Sequence, residues 1–312
     1  MNKLQNNILD ISHNYYNYLM SLKNVIGVGM GFKYINSINI EEPCIHVLVE
    51  NKFDSKYISK NNLIPKRYMG IKTDVIETKR FRASSGNVIP YKLRPLQSGC
   101  NISIKGKNSS GTLSCIVTKG NIFKKEYFIL SNNHVIADCN KAPIGIPIVQ
   151  PGSPSGGIGE IAYLETFVQL KFIEYSKKPV NYMDAAIAKI SNKSLVQNRI
   201  FSVGKIKGTS EASLGSSVGK AGFATGITYG KIETIGLTIE IDYSNNQLFK
   251  ELVLFKNQIR AQIQTTLGDS GSLVFDENRK AIGIQCGATG NNNALINDIN
   301  MVLKELEVNI YT

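Results

Sequence analysis

Residues 266–274 read TLGDSGSLV, and the rest of the chain is organised around this stretch. An apolar strand follows a tight turn in which glycines flank the pair Asp269 and Ser270. Glycine lets the backbone bend sharply and expose its N–H groups. A serine hydroxyl becomes a useful nucleophile only with a base beside it and donors that wait for an oxyanion. Taken alone, the turn is equally compatible with a purely structural role, because G-x-S-G occurs by chance in many proteins.

The composition of the 312-residue chain is that of a folded globular protein, with 42% hydrophobic and 19% charged residues. This length allows two or three compact units with cores of their own. The N-terminus lacks the basic and apolar regions of a signal peptide, and no apolar run reaches the roughly 18 residues of a membrane span. We therefore expect a soluble cytoplasmic protein that does not associate with membranes.

Charge and cysteine usage narrow the class further. The net charge of the chain is +12. Residues 1–94 contain fourteen Lys and Arg and seven Asp and Glu, so +7 of this charge lies in that region. The lysines are scattered and no aromatic ladder accompanies them, so a solvated surface is favoured over nucleic-acid binding.

Five widely spread cysteines without a C-x-x-C motif suit reduced thiols and predict neither a metal site nor a cofactor. A disulfide between Cys115 and Cys139 stays open.

The N-terminal region, residues 1–78, is predicted to be a small α+β domain. Apolar residues recur at helical spacing through residues 3–23, and strands are expected around 25–33, 44–50 and 70–77. The glycines of the first strand do not match the dinucleotide-binding spacing G-x-G-x-x-G. His13 and His46 lie here without ligand-type neighbours three or four residues away, which favours structural roles.

A linker rich in Ser, Pro and basic residues is predicted over residues 79–98. From residue 99 onward, short apolar segments alternate with Gly, Asn, Pro and Ser clusters, a pattern typical of β-barrels or sandwiches. Two barrels of similar size, over residues 99–204 and 205–312, are the natural partition. The apolar spacing over residues 294–308 predicts a closing helix.

Two further segments contain polar residues that could act together with the serine of the opening turn. A buried strand at 127–131 runs into Asn132, Asn133 and His134, and His134 is one of only three histidines that could act as a general base. Asp184 stands at the head of the apolar strand 185–190, where a carboxylate either caps the strand or orients an imidazole. The order along the chain is His, Asp, Ser.

With these three features in this order, the chain resembles the chymotrypsin-like (trypsin-fold) serine peptidases. The resemblance implies a mainly β protein: a double six-stranded antiparallel β-barrel, here with the small N-terminal α+β domain and a C-terminal helix. It further implies a serine endopeptidase in which Ser270 attacks, His134 transfers the proton and Asp184 orients the imidazole. Gly268 and Ser270 would supply the N–H groups of the oxyanion hole, and Asp269 would need a buried partner.

A second layer of resemblance covers nearly the whole chain. Residues 221–232 are similar to the G-R-T-T-G-x-x-x-G segment of bacterial members of the fold, with Phe223 where a basic residue is usual. Together with segments 28–33, 73–76, 130–137 and 148–152, they resemble bacterial proteins related to the plant NARROW LEAF 1 protein. This implies intracellular regulatory proteolysis of a protein or peptide substrate and formation of a homo-oligomer.

The resemblance also indicates two walls of a specificity pocket. They are Gln264, Thr265 and Thr266 on one side and Cys286, Gly287 and Ala288 on the other, with a cysteine where many peptidases of this fold have serine. No acid is found at the expected base, so a neutral side chain of modest size is favoured over Lys or Arg.

Three alternatives stay open. The fold could be a catalytically silent scaffold or binding module, although all three triad residue types are present. The basic N-terminal region could bind nucleic acid or an acidic surface, with proteolysis secondary. It could also cover the active site until a signal releases it.

Overall fold

In the computed structural model, the residues that can be described are 2–35, 38–78, 81, 92–121, 124–152, 159–175, 177–244, 250–289 and 292–312. Most of the predicted linker lies outside them. The helices are α1 (Lys3–Asn14), α2 (Asn17–Ser21), α3 (Asn133–Ile136) and α4 (Ile299–Glu305). None of these helices is long and apolar enough to cross a membrane.

The strands run from end to end of the chain. They are β1 (Val25–Ile35), β2 (Ile38–Val49), β3 (Arg67–Tyr68), β4 (Ile71–Glu77), β5 (Leu96–Ser98), β6 (Asn101–Ile104), β7 (Gly111–Thr112), β8 (Cys115–Gly120), β9 (Lys125–Ser131), β10 (Pro147–Val149), β11 (Glu160–Phe167), β12 (Val180–Asn181), β13 (Ala186–Ile190), β14 (Val196–Ile200), β15 (Ser217–Gly222), β16 (Gly226–Asp242), β17 (Leu252–Ile263), β18 (Leu273–Phe275), β19 (Ala281–Thr289), β20 (Asn293–Asp298) and β21 (Asn309–Ile310).

Two barrel-like sheets dominate the described residues, which confirms the predicted mainly β class. The first sheet has the order β21-β8-β9-β13-β11-β10-β6-β7 and encloses an apolar core. In the second, β17, β20, β19, β18, β15 and β16 are paired in turn, and the additional pairing of β16 with β17 closes the ring. A short parallel pair, β5 and β14, forms a two-stranded sheet of its own, and Leu96 of β5 lies in the core of the first sheet. The interface between the two large sheets carries the site described below.

The N-terminal strands extend the second sheet, where the sequence suggested a separate unit. β17 pairs with β16 from Gly230 to Asp242. β15 pairs with the first part of β16 and β1 with a later part, in a register that sets Gly27 opposite Ile239. β2, β4 and β3 continue the sheet outward. Ile8 and Ile11 of α1 lie in the same core cluster as Met30 and the barrel residue Ile259. Because this core is shared, residues 1–78 and the second barrel are structurally continuous.

Two predicted helices differ from the structure. The helix expected over 3–23 is interrupted at Tyr15, whose φ of −121° and ψ of 17° end α1. The closing helix expected over 294–308 was wrong in its first third, because residues 293–298 form β20 between β17 and β19. β20 is buried along nearly its whole length, so its apolar residues carry no period that separates strand from helix. The helix begins only after Asp298, whose side chain accepts a hydrogen bond from Met301 N.

Candidate active site

The serine turn between β17 and β18 is shaped by glycines and by contact with the other barrel. Gly268 and Gly271 have φ of +99° and +92°, a backbone conformation that favours glycine. A Cβ on Gly271 would lie 2.1 Å from the carbonyl oxygen of Thr112 in β7. The Gly271 N–H donates to Gln285 O at 2.8 Å. The turn therefore has space for no larger residue at position 271, and its backbone is tied to both sheets.

The first sheet brings His134 and Asp184 together. Antiparallel pairing of β9 with β13 sets Ser131 opposite Ala186, so the residues that follow β9 and precede β13 are neighbours. His134 Nδ1 lies 2.5 Å from Asp184 Oδ2, and the backbone N–H of His134 donates to Asp184 Oδ1 at 3.2 Å. Asp184 is fully buried. A buried carboxylate that holds one imidazole nitrogen leaves the other nitrogen, Nε2, as the proton acceptor.

Strand β7 joins this pair to the serine turn. The Thr112 N–H donates to Ser270 O at 2.7 Å, and its hydroxyl donates to Gly268 O at 2.8 Å. A Cβ on Gly111 would lie 2.6 Å from Val135 Cγ2 and 2.9 Å from Ser270 O. The residue that follows His134 and the nucleophile candidate thus both contact the Cβ position of one glycine. This places the His134 and Ser270 segments at the same interface between the barrels.

The two atoms that would exchange a proton are both buried. Ser270 Oγ and His134 Nε2 make no hydrogen bond with any described residue. Bonds between base and nucleophile are often long without substrate and tighten in the productive complex. In this structure, Ser270 Oγ and His134 Nε2 therefore form no hydrogen bond with each other, and both are shielded from solvent.

The predicted oxyanion donors are free in the described part of the chain. Neither the Gly268 N–H nor the Ser270 N–H donates to another described group, whereas the intervening Asp269 N–H donates to Thr266 O at 3.2 Å. Two unengaged N–H groups on one tight turn can together stabilise a negatively charged oxygen.

Lys220 of β15 is the buried partner of Asp269, which the sequence did not identify. Its Nζ lies 2.9 Å from Asp269 Oδ2, and both side chains are completely buried. The other carboxylate oxygen accepts the N–H groups of Ala224 and Thr225, at 3.0 and 3.1 Å. Burial lowers the pKa of the Lys220 ammonium, and the Asp269 charge opposes that shift. Both members of the ion pair are side chains of this chain. The Asp269 carboxylate therefore does not depend on the ammonium of a newly cut N-terminus for its partner.

Tyr243 is the second residue that sequence reasoning missed. Its hydroxyl donates to Asp184 Oδ2 at 2.8 Å, on the oxygen that also bonds His134. Burial, followed by the Asp184 charge, raises the pKa of Tyr243 well above its ordinary value of 10.0. No local signal marks this tyrosine, because it lies 59 residues from Asp184 and just beyond the end of β16.

The predicted specificity walls are only partly on the surface. Gln264 and Thr266 are exposed, as predicted wall residues must be, and Ala288 is half-buried. Thr265 is instead engaged, since its hydroxyl lies 3.3 Å from Asp269 Oδ2 and accepts from Gln285 Nε2 at 2.5 Å. Cys286 is fully buried, with Sγ 3.6 Å from Leu295 O. The side chains at positions 265 and 286 are therefore part of the supporting network, while the pocket itself stays a prediction.

Cys115 and Cys139 are free thiols, as are the chain's other three cysteines, so the disulfide left open by the sequence is not formed.

One cluster of metal-ligand types occurs among the described residues, and it includes no member of the triad. Ligand atoms of Cys44, His46 and Asp74 lie within 4.8 Å of one another. Both nitrogens of His46 are engaged, with Phe32 O at 2.8 Å and Thr234 Oγ1 at 3.0 Å. Asp74 Oδ1 lies 3.7 Å from the Lys33 ammonium. A cation already neutralises the carboxylate and the imidazole is fully hydrogen bonded, so these contacts suit a structural role of His46.

Comparison with known proteins supports the class that these contacts suggest. The model of the trypsin-like peptidase domain matches residues 114–284, more than half of the chain, and this segment contains His134, Asp184 and Ser270. The protein therefore belongs to the family of trypsin-like peptidase domains. No curated protein sequence matches the chain significantly.

Several solved structures are similar to this chain at low sequence identity. Protease A of Thermobifida fusca is 17% identical, with 69% of this chain and 98% of that chain covered and a TM-score of 0.49. A glutamic acid specific serine protease is 20% identical, with 69% and 100% covered and a TM-score of 0.48. The chymotrypsin of Cellulomonas bogoriensis is 17% identical, with 69% and 98% covered and a TM-score of 0.48.

Proposed function

We propose that this protein is a serine endopeptidase that hydrolyses peptide bonds through an acyl-enzyme. The observation that carries the proposal is the His134–Asp184 hydrogen bond of 2.5 Å, buried at the barrel interface where the Ser270 turn is anchored. Membership of the trypsin-like peptidase family supports it. A buried acid, an imidazole and a serine on a glycine turn are the parts that acyl transfer requires.

In the proposed reaction, Ser270 Oγ bonds to the peptide carbonyl carbon as its proton passes to His134 Nε2. The N–H groups of Gly268 and Ser270 stabilise the oxyanion, and each such donor contributes about 10²–10³ in rate. His134 then protonates the leaving amine as the C–N bond breaks, which leaves an ester on Ser270. Water, deprotonated by the same imidazole, hydrolyses that ester and restores the hydroxyl.

A fluorophosphonate probe tests the nucleophile directly. We expect the full chain to gain one phosphonyl group, mapped to Ser270 by mass spectrometry, and Ser270→Ala to gain none. Ser272→Ala is the matched control, because this neighbouring serine is equally buried and its hydroxyl donates to Asp269 O. Labelling of Ser272→Ala at the wild-type rate supports the proposal, and equal labelling of Ser270→Ala contradicts it.

For substrate choice, we propose a neutral side chain of modest size before the scissile bond, because Gln264 and Thr266 are the exposed members of the predicted walls. Cleavage of a peptide library by wild type and by Ser270→Ala tests this preference. Ser270-dependent cleavage confined to sites after Lys or Arg would contradict it.

One observation favours a second candidate, a catalytically silent scaffold. Ser270 Oγ and His134 Nε2 are both buried and without a hydrogen bond to a described residue. A protein that never labels with the probe and never cleaves the library would support this candidate.

A further inference from the structure

The Asp184 carboxylate carries more hydrogen bonds than the orientation of one imidazole requires. Oδ2 accepts from His134 Nδ1 at 2.5 Å and from the Tyr243 hydroxyl at 2.8 Å, while Oδ1 accepts from the His134 N–H at 3.2 Å. A hydrogen bond to an ionised carboxylate is stronger than a neutral one and withdraws charge from the oxygen that accepts it. The Tyr243 hydroxyl and the imidazole therefore compete for the charge on a single oxygen atom.

Tyr243 is held rigidly enough to keep this contact. Its ring is 4% exposed and lies with centroids 6.3 Å from Phe172 and 6.2 Å from Phe255. The ring also lies edge-on to the His134 imidazole, 5.7 Å between centroids. Its backbone N–H donates to Glu251 O at 2.9 Å. Packing on three rings and a backbone bond fixes the direction of the hydroxyl.

Cys286, a second-barrel thiol that interacts electrostatically with Asp184, is a poor substitute for this donor. A thiol is a weak hydrogen-bond donor. Its Sγ lies 3.6 Å from Leu295 O and accepts from Asn297 Nδ2 at 3.3 Å. Asn297 Oδ1 in turn accepts from the Asp184 N–H at 3.0 Å. Among the described residues of the second barrel, Tyr243 is thus the one that donates a hydroxyl to Asp184.

We propose that Tyr243 is a positioning residue of the triad, whose hydroxyl fixes the Asp184 carboxylate and sets the pH range in which His134 serves as the base. This inference rests on the proposed peptidase function. When the hydroxyl withdraws charge from Oδ2, Asp184 stabilises the imidazolium less, so His134 becomes available as a base at lower pH than it would without Tyr243.

The other titratable groups that face Asp184 among the described residues do not change charge in the working range. Burial raises the pKa of Cys139 to about 12 and that of Cys286 well above its ordinary value. Both thiols therefore stay neutral near pH 7. The charged groups Asp138, Lys141 and Glu251 act electrostatically on Cys139.

The test compares Tyr243→Phe with wild type in the pH dependence of kcat/KM. Phenylalanine keeps the packed ring and removes only the donor. Without this hydrogen bond, the Asp184 charge stabilises the imidazolium more strongly, so we expect the acidic limb of the profile to move to higher pH by up to about one unit. Tyr163→Phe is the matched control, since its hydroxyl also bonds a carboxylate, that of Glu160, at 2.8 Å. An acidic limb unchanged in Tyr243→Phe would overturn the proposal.

A second variant keeps the test decisive if Tyr243→Phe folds poorly. Replacing Tyr243 with 3-fluorotyrosine preserves shape and makes the hydroxyl a stronger donor. The acidic limb is then expected to move to lower pH, opposite to the phenylalanine variant. A shift in the same direction for both substitutions would show that packing, rather than the hydrogen bond, is responsible, and would overturn the proposal.

A spectroscopic measurement separates this inference from the proposed function. The measurement is made on Ser270→Ala, because it does not require an active enzyme. In this variant, the proton on His134 Nδ1 should give a low-field NMR resonance because it is shared with Asp184. Adding Tyr243→Phe should shift this resonance, whereas adding Tyr163→Phe should not. If wild type never reacts but the shift occurs, the peptidase proposal fails and the positioning role stands. An unshifted resonance overturns the positioning role whatever the activity.

Discussion

The ammonium group of Lys220 lies 2.9 Å from the carboxylate of Asp269, and neither side chain is exposed. Asp269 immediately precedes the nucleophile candidate Ser270, so this ion pair supports the turn that carries it. The carboxylate also accepts from the Thr225 hydroxyl at 2.7 Å and the Thr266 N–H at 3.1 Å. A partner that belongs to the same chain means that the serine turn is built when the protein folds.

Removing the ammonium should disrupt this turn. Lys220→Met leaves a buried carboxylate without its cation, for which a loss of about 3–5 kcal/mol in the free energy of unfolding is expected. Labelling of Ser270 should fall with it. Urea unfolding and probe labelling measure both, and Lys231→Met, at an exposed position of β16, is the control. The double variant Lys220→Met, Asp269→Asn should lose less than the sum of the single losses. Additive losses would contradict direct coupling.

The same ion pair should require a glycine at position 222. A Cβ at this position would lie 2.3 Å from Asp269 Oδ1 and 2.9 Å from Lys220 Nζ. Gly222→Ala is therefore expected to cost about 1–3 kcal/mol through overpacking and to slow Ser270 labelling at least about ten-fold. Gly226→Ala is the control, because no heavy atom lies within 4 Å of its Cβ position, although its φ is +70°. Equal loss of labelling in the two variants would show that space beside Asp269 is not the cause.

The N-terminal segment should be needed for folding, because it shares a sheet and a core with the second barrel. We expect a chain of residues 95–312 to be insoluble or loosely packed. A milder test is Met30→Ala, which truncates a fully buried side chain of β1 and should cost about 2–5 kcal/mol. Met69→Ala, at a methionine that is 55% exposed, should cost little. A soluble 95–312 fragment that labels at the full-length rate would refute structural dependence.

Buried His46 should make the protein less stable in mild acid. Burial lowers its pKa from 6.5 to about 4. The unfolded chain therefore takes up the proton first, and stability is lost as the pH falls from 6.5 towards 4, by about 3 kcal/mol in full. His46→Gln retains a donor for Phe32 O and removes the titration. The free energy of unfolding, measured by denaturant at several pH values, should depend less steeply on pH in the variant. Identical slopes would show that His46 is not the group responsible.

Much of the fold follows from local sequence, because alternating apolar segments separated by turn residues specify strands wherever they lie. The strands around His134, Asp184 and Ser270 were predicted close to their observed places for this reason. The closing helix was misplaced because a fully buried strand such as β20 shows no alternation. The length of β16 depends on which strands pair with it. The sequence of one segment does not specify those distant partners.

The sequence by itself determined the residue types of the candidate site, their order along the chain and the glycines that shape the serine turn. Only the tertiary structure decided which distant groups complete the site. Lys220 lies 49 residues from Asp269, and Tyr243 lies 59 residues from Asp184. The Lys220 contact is made within the second barrel, between β15 and the serine turn. The Tyr243 contact is made when the end of β16 meets the first barrel beside β13. A lysine or tyrosine next to a strand carries no local mark of its partner, since burial and charge compensation arise only after distant strands pair.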